Sequence, residues 1–392
     1  MRAMFEALLH AVEMAATMGW EILWALIFGF FISGAIQAVV SHKEMAALLP
    51  DDRAGSILKA TALGAASSSC SYAAVAIGRS IFRKGGNFTA AMAFQFASTN
   101  LVIELGLILA ILLGWRFTAA TWAGGLIMIV LLVALMRLVF RRAQVERARS
   151  TAEEGVAGKM EGHAAMDMSV TGGPLLKRVF SGPGLTATAH YYWMDWASLW
   201  FDIGLGLAIA GAVAAWVPQA VWARVFFTDH PAVASLVGPL IGPLIAVVTF
   251  VCSVGNIPLA AVLWHGGASF GGVIAFIFGD LIVLPILDIY RRYYGLKTAV
   301  LLGVVFYAAM VGAAYAIEAV FGLLHLIPTE RSVHMLTAGI AWNYTTWLNL
   351  AGLAVSGVLF WRFLRTGGPA MLKAMNASGG GGHAAGCEGQ HL

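Results

Sequence analysis

Two cysteines, Cys70 and Cys252, lie within long apolar stretches, and each is followed at once by a serine, Ser71 and Ser253. Two thiolates brought together at membrane depth could hold a soft ion such as Cu(I) or trivalent arsenic. A free cysteine also serves as a small buried apolar side chain, and spacing alone leaves both uses open. Acidic residues inside apolar runs come next: Glu21, Glu104, Asp202, Asp280 and Glu318. Each is costly in a bilayer unless paired, hydrated or protonated, so each is read as functional by default. Asn100 and Glu104 are four residues apart and share one helical face. Glu104 and Asp280 are expected to line a central site and exchange protons, with Glu21 and Asp202 as a peripheral pair. Some of these carboxylates could instead sit at the interface or bond freed backbone amides. Arg79 could neutralise an acidic partner, contact an anionic substrate, or snorkel to the membrane surface. Soft-metal ligand types also occur outside the apolar runs. Met160, His163, Met166 and Met168 form one group, and His383, Cys387 and His391 form His-x3-Cys-x3-His. Thioether, imidazole and thiol together suit Cu(I) or Zn(II), although flexible segments rich in Met and His produce such groups readily.

The elements that must position these residues follow from composition. Of 392 residues, 60% are hydrophobic and 11% charged, against roughly 45–50% and about 25% in a soluble domain. A single soluble core cannot bury so much apolar surface, so the chain reads as an all-α polytopic membrane protein. The net charge of +4 is small, and the basic residues gather in short connections, which argues against a nucleic-acid-binding face. Three scattered cysteines make no secreted disulfide framework. Spans of ~20 residues are expected near 18–40, 90–114, 117–139, 197–218, 270–290, 298–325 and 338–364. Residues 1–17 contain Glu6 and Glu13 and lead straight into the first span, with no separate cleavable signal expected. Residues 141–196 read as a cytoplasmic loop, and 366–392 as a flexible Gly-rich tail. The aromatic cluster Tyr191, Tyr192, Trp193 and Trp196 reads as an interfacial anchor.

An internal repeat emerges when the chain is slid by 182 positions. Cys70-Ser71 then falls on Cys252-Ser253, Gly85 on Gly267, Phe88 on Phe270, and Ala93-Phe94 on Ala275-Phe276. The repeats are expected over 18–140 and 197–325, with an extra C-terminal span at 338–364. If the cysteine stretches near 53–83 and 233–265 were plain crossings, lysines and arginines would divide almost evenly between the two sides. If each is a hairpin returning to its own face, only Arg2, Arg116, Arg224 and Arg331 remain outside, Arg79 set aside. The expected architecture is therefore an inverted repeat of three spans plus one re-entrant or broken hairpin per half. Ala66 to Ser71 and Cys252 to Pro258 are the expected interruptions, with Ser71, Ser253, Asn256 and Pro258 among the binding residues. Ordinary packing of helices through small residues is the simpler use of the same stretches.

At these residues the chain resembles the predicted permease family that includes the ArsP-type organoarsenical exporters. Its members carry a Cys-Ser-Cys-Gly-x-x-Pro-Leu type signature at a membrane-buried turn. Here the second half reads Cys252-Ser253-Val254-Gly255-Asn256-Ile257-Pro258-Leu259, and the first begins Cys70-Ser71-Tyr72-Ala73. Tyr72 and Val254 stand where the pattern has its second cysteine. The resemblance implies an export permease for metalloids or soft metals rather than an enzyme. No cofactor is expected. The expected partners are the bilayer, a small-molecule or ion substrate and, for a homo-oligomer, further copies of the chain. The expected location is the inner cell membrane with the C-terminus cytoplasmic. Export of another small solute, or a membrane-embedded thiol redox enzyme, are the alternatives. For the enzyme, no Cys-x-x-Cys, HExxH, phosphate loop or dinucleotide fingerprint is present.

Overall fold

The computed structural model describes residues 2–39, 48–67, 71–83, 85–153, 168–170, 174–216, 221, 225, 230–249, 253–331, 342 and 344–377. Among the described residues every regular element is helical. The first half comprises α1 (Arg2–Gln37), α2 (Ala54–Ser67), α3 (Ser71–Arg83), α4 (Phe88–Asn100), α5 (Ile103–Leu112), α6 (Trp115–Val139) and α7 (Arg142–Glu153). After the short α8 (Leu175–Val179) come α9 (Gly182–Trp216), α10 (Pro231–Thr249), α11 (Ser253–His265) and α12 (Phe270–Phe278). A 3-10 turn (Gly279–Ile282) leads to α13 (Leu284–Tyr294), α14 (Leu296–Leu323), α15 (Tyr344–Arg365) and α16 (Gly368–Ala377).

Phe88–Leu112, Trp115–Val139, Leu296–Leu323 and Tyr344–Arg365 are each long and apolar enough to cross a bilayer. Two bent pairs add up to two more spans, Leu8–Trp20 with Ile22–Ile32 and Phe270–Ile282 with Leu284–Tyr294. The protein is therefore a multi-pass membrane protein.

Three boundaries differ from the sequence reading. Helix α1 already begins at Arg2, α9 begins at Gly182 inside the stretch read as loop, and α16 lies within the tail. The early start of α9 has a physical cause. Its polar residues find partners on neighbouring helices, so low hydropathy does not mean exposure. Gln37 Nε2 donates to Asp195 Oδ2 at 3.4 Å, and His190 Nε2 pairs with Thr366 Oγ1 at 2.7 Å. For the same reason Tyr191 and Tyr192 are buried, Tyr192 bonding Ser356, and Trp196 meets Phe30 edge-on at 5.0 Å. This cluster packs helices together.

Each cysteine-bearing stretch folds back to where it started. The Asn87 amide, just past α3, donates to the Leu49 carbonyl, just before α2, at 2.8 Å. Helix α2 runs beside α4 in the same direction, with Gly64 so close that a Cβ there would lie 2.5 Å from the Phe94 carbonyl and 2.8 Å from Ala97 Cβ. In the second half α10 runs beside α12, and there a Cβ on Gly279 would lie 2.5 Å from Ala246 Cβ. Glycine and alanine exchange sides between the halves, keeping the same close approach.

Local geometry recurs at the offset of 182. Gly85 and Gly267 have φ of 99° and 107°, a conformation that suits glycine. Each follows a helix whose last carbonyls it helps satisfy, through Gly85 N to Phe82 O and Gly267 N to Trp264 O, both 3.2 Å. Asn87 and Ser269 then cap the next helix, accepting from Ala90 N and Gly272 N. The two turns lie at opposite ends of the bundle. Phe88 packs on Phe140 and Tyr294, whereas Phe270 packs on Phe117 and Phe321. Helix α6 runs from Phe117 almost to Phe140 and keeps the clusters roughly 35 Å apart.

Candidate translocation site

From those opposite ends the returning helices α3 and α11 begin at mid-bundle, at Ser71 and Ser253. The two Oγ atoms are 3.0 Å apart, and each hydroxyl donates to Oδ2 of Asp280 at 2.8 Å. All three residues are buried, Asp280 completely. Such a carboxylate is tolerated only with strong local compensation. Here it comes from two hydroxyl donors and from helix N-termini, whose dipoles favour negative charge.

Asp280 owes its position to a break. It sits in the 3-10 turn that ends α12. Val283 is extended, with φ −60° and ψ 147°, and α13 restarts with a proline in its first turn. The first half breaks at the matching depth, where Val102 has φ −82° and ψ 150° between α4 and α5. The residues before that break, Thr99 and Asn100, are buried as well. The Thr99 hydroxyl lies beside the Asp280 carboxylate but donates to the carbonyls of Gln95 (3.2 Å) and Phe96 (3.3 Å). Asn100 Nδ2 donates to Thr99 Oγ1 at 2.9 Å. Asn100 Oδ1 and Asp280 Oδ1 remain buried without a hydrogen-bond partner. One turn away, the Tyr290 hydroxyl donates to Gln95 Oε1 at 2.8 Å, tying α13 to α4.

The structure thus brings together Ser71, Ser253 and Asp280, with Asn100 at the neighbouring break. Glu104 is not among the hydrogen-bond partners of Asp280. It is buried in the first turn of α5 against α1, where its Oε2 would lie 2.7 Å from a Cβ on Gly29. Asn256 is fully buried in α11. Pro258 lies inside α11, so residues 253–258 are helical and not part of the interruption expected there. Pro258 is past the first turn and removes one rung, the bond to the Val254 carbonyl, yet the helix continues through it. Arg79 does not snorkel. It is fully buried, donates to the Ala152 carbonyl from Nε (3.2 Å) and Nη2 (2.8 Å), and lies over the Tyr293 ring.

Cys70, Cys252, Met160, His163, Met166, His383, Cys387 and His391 lie outside the described residues, as do the side chains of Glu21 and Asp202. Met168 is described, and its amide donates to the Tyr191 hydroxyl at 2.9 Å. Among the described residues no group of three or more His, Cys, Asp or Glu could hold a metal ion. Sequence reasoning missed Thr99, Gln95 and Tyr290, which carry no charge to mark them within an apolar run.

The family model described as a predicted permease, of the ArsP type, matches residues 7–319. The Mycobacterium tuberculosis protein named "Putative permease Rv2963" is 55% identical over 341 residues, which cover 87% of this chain and 84% of that protein. No solved structure matches the chain. Since residues 7–319 take in both folded-back stretches and the Asp280 centre, the chain belongs to this predicted permease family.

Proposed function

We propose that the protein is a secondary-active permease that exports a small soft-metal or metalloid solute, an arsenical or a heavy-metal ion, in exchange for protons. The two halves act as an inverted repeat, with hairpins entering from opposite faces, and the C-terminus lies on the cytoplasmic side of the cell membrane. The observation that carries this reading is the buried triangle of Ser71, Ser253 and Asp280. Its three close contacts share only two hydroxyl protons while Asp280 is ionised. Both hydroxyls then point at the carboxylate, and the serine–serine contact has no donor. A third proton on Asp280 completes the ring, because each group then donates once and accepts once. Gain and loss of that proton changes what the hairpin tips bind, which is what coupling to a proton gradient requires.

Soft cargo is supported by sequence position, since Cys70 and Cys252 directly precede the paired serines. Glu104, at the start of α5, is the second carboxylate of the pathway. A second reading is favoured by the described donors themselves. All at the tips are oxygens, which suit hydroxylated or oxyanionic solutes better than soft ions. Everted membrane vesicles containing the protein separate the two. Uptake of arsenite, methylarsenite or Cu(I) that follows an imposed pH gradient supports proton-coupled soft-solute export. Uptake of an oxyanion alone favours the second reading, and no gradient-dependent uptake of any of them removes proton-coupled export.

A further inference from the structure

The offset of 182 extends beyond the spans to a pair of arginines. Arg149 on α7 donates from Nη1 to the Phe82 carbonyl at 2.5 Å and from Nη2 to the Gly86 carbonyl at 3.1 Å, with its guanidinium 4.2 Å over the Phe82 ring. Arg331, 182 residues later, donates to the Trp264 carbonyl at 3.2 Å and the Ala268 carbonyl at 3.0 Å, with its guanidinium 4.4 Å over the Trp264 ring. Phe82 and Trp264 are equivalent under the offset, as are Gly86 and Ala268. The Phe82 and Trp264 carbonyls stand in the last turns of α3 and α11, where the helix dipole favours a cation, and Gly86 and Ala268 lie in the turns just beyond. The planar fork of arginine spans helix end and turn at once.

These contacts fix the mouths of the two hairpins. Each arginine comes from outside its hairpin, Arg149 from α7 and Arg331 from the stretch after α14. A hairpin that tilts about its mouth withdraws its tip from the centre, so a contact that pins the mouth also holds the tip. The two ends are not alike. At the first, α7 is tied down a second time by Arg79 on the Ala152 carbonyl. At the second, Arg331 borders a cavity of about 430 Å³ that Ser235, His265 and Glu318 also line.

We propose that Arg149 and Arg331 are paired mouth latches, positioning residues whose separate release opens the Ser71–Ser253 centre to one face at a time. The inference rests on the permease reading for its purpose, but its test requires no cargo. The thiols of Cys70 and Cys252, which directly precede the tip serines, report exposure when a membrane-impermeant maleimide is applied to one face of oriented vesicles. Labelled peptides are identified by mass spectrometry. Arg149→Ala is expected to raise labelling on the order of tenfold from the face bearing α7 and not from the other. Arg331→Ala is expected to do the opposite. Arg149→Lys and Arg331→Lys keep the charge but lose the fork, and should shift labelling in the same directions by less. They also serve if either alanine variant is lost from the membrane. A purely structural role would move both faces together. Equal effects on the two faces, or no change in any variant, would overturn the latches. The permease reading fails separately, on absence of gradient-driven uptake.

Discussion

Ser71 and Ser253 are 182 residues apart in the chain and 3.0 Å apart in space, and both donate to one oxygen of Asp280. With the two hydroxyls in contact and sharing one acceptor oxygen, neither tip can leave without disturbing what the other binds. The pair should therefore behave as one unit. Ser71→Ala and Ser253→Ala are each expected to lower transport and stability, by about 1.5–3 kcal/mol for a hydrogen bond to a charged group. The double variant should cost clearly less than the sum, a coupling of about 0.5–3 kcal/mol. Thermal unfolding in detergent, run as a double-mutant cycle, measures this. Simple additivity would mean that the two hydroxyls serve Asp280 independently.

Asp280→Asn tests the proton role. The amide cannot gain or lose the proton that closes the triangle, and its NH2 presents donors where the hydroxyls need an acceptor. Export should fall by about tenfold or more, and the remainder should ignore the pH gradient. Transport by the variant that still follows the gradient would assign coupling elsewhere, with Glu104 the next group to change.

The close approach of α2 to α4 gives a packing test. A methyl on Gly64 would meet the Phe94 carbonyl and Ala97, so Gly64→Ala should destabilise by about 1–3 kcal/mol. The second half keeps the same crossing with the small residues exchanged, as Ala246 against Gly279. Adding Ala97→Gly should therefore restore part of the loss, read as the melting temperature of the purified protein. No recovery would show that the Phe94 carbonyl, rather than the Ala97 methyl, sets the distance.

The all-helical, apolar character and several spans, such as 117–139 and 298–325, were legible from hydropathy, and the offset of 182 pointed to the matching turns at Gly85 and Gly267. Ser71 and Ser253 were legible through the cysteines beside them. Other parts of the repeat were hidden because different side chains do the same work. Asn87 and Ser269 both cap a helix, Phe82 and Trp264 both lie under a guanidinium, and Gly64 with Ala97 answers Ala246 with Gly279. Arg149 was read as one charge of a polar loop, although the same offset points from it to Arg331. The polar start of α9 was misread because partners such as Gln37 and Thr366 come from distant parts of the chain. Pro258 misled because the loss of one backbone bond does not end its helix.

The identity of the cargo turns on Cys70 and Cys252. If soft ligation selects the solute, the thiols act through sulfur and not through size, because hydroxyls offer no comparable affinity for Cu(I) or trivalent arsenic. Serine at both positions is then the informative change, being nearly isosteric and already the residue next along the chain. The double variant Cys70→Ser with Cys252→Ser should keep its fold, its melting temperature moving by less than about 1 kcal/mol in equivalent stability. Gradient-driven uptake of arsenite or Cu(I) into everted vesicles should nevertheless be lost. Each single variant should weaken uptake less than the pair, since one thiolate and neighbouring oxygens can still hold the ion. Undiminished uptake by the double variant would remove sulfur ligation as the selecting interaction and leave cargo recognition to the oxygens of Ser71, Asn100, Ser253 and Asp280.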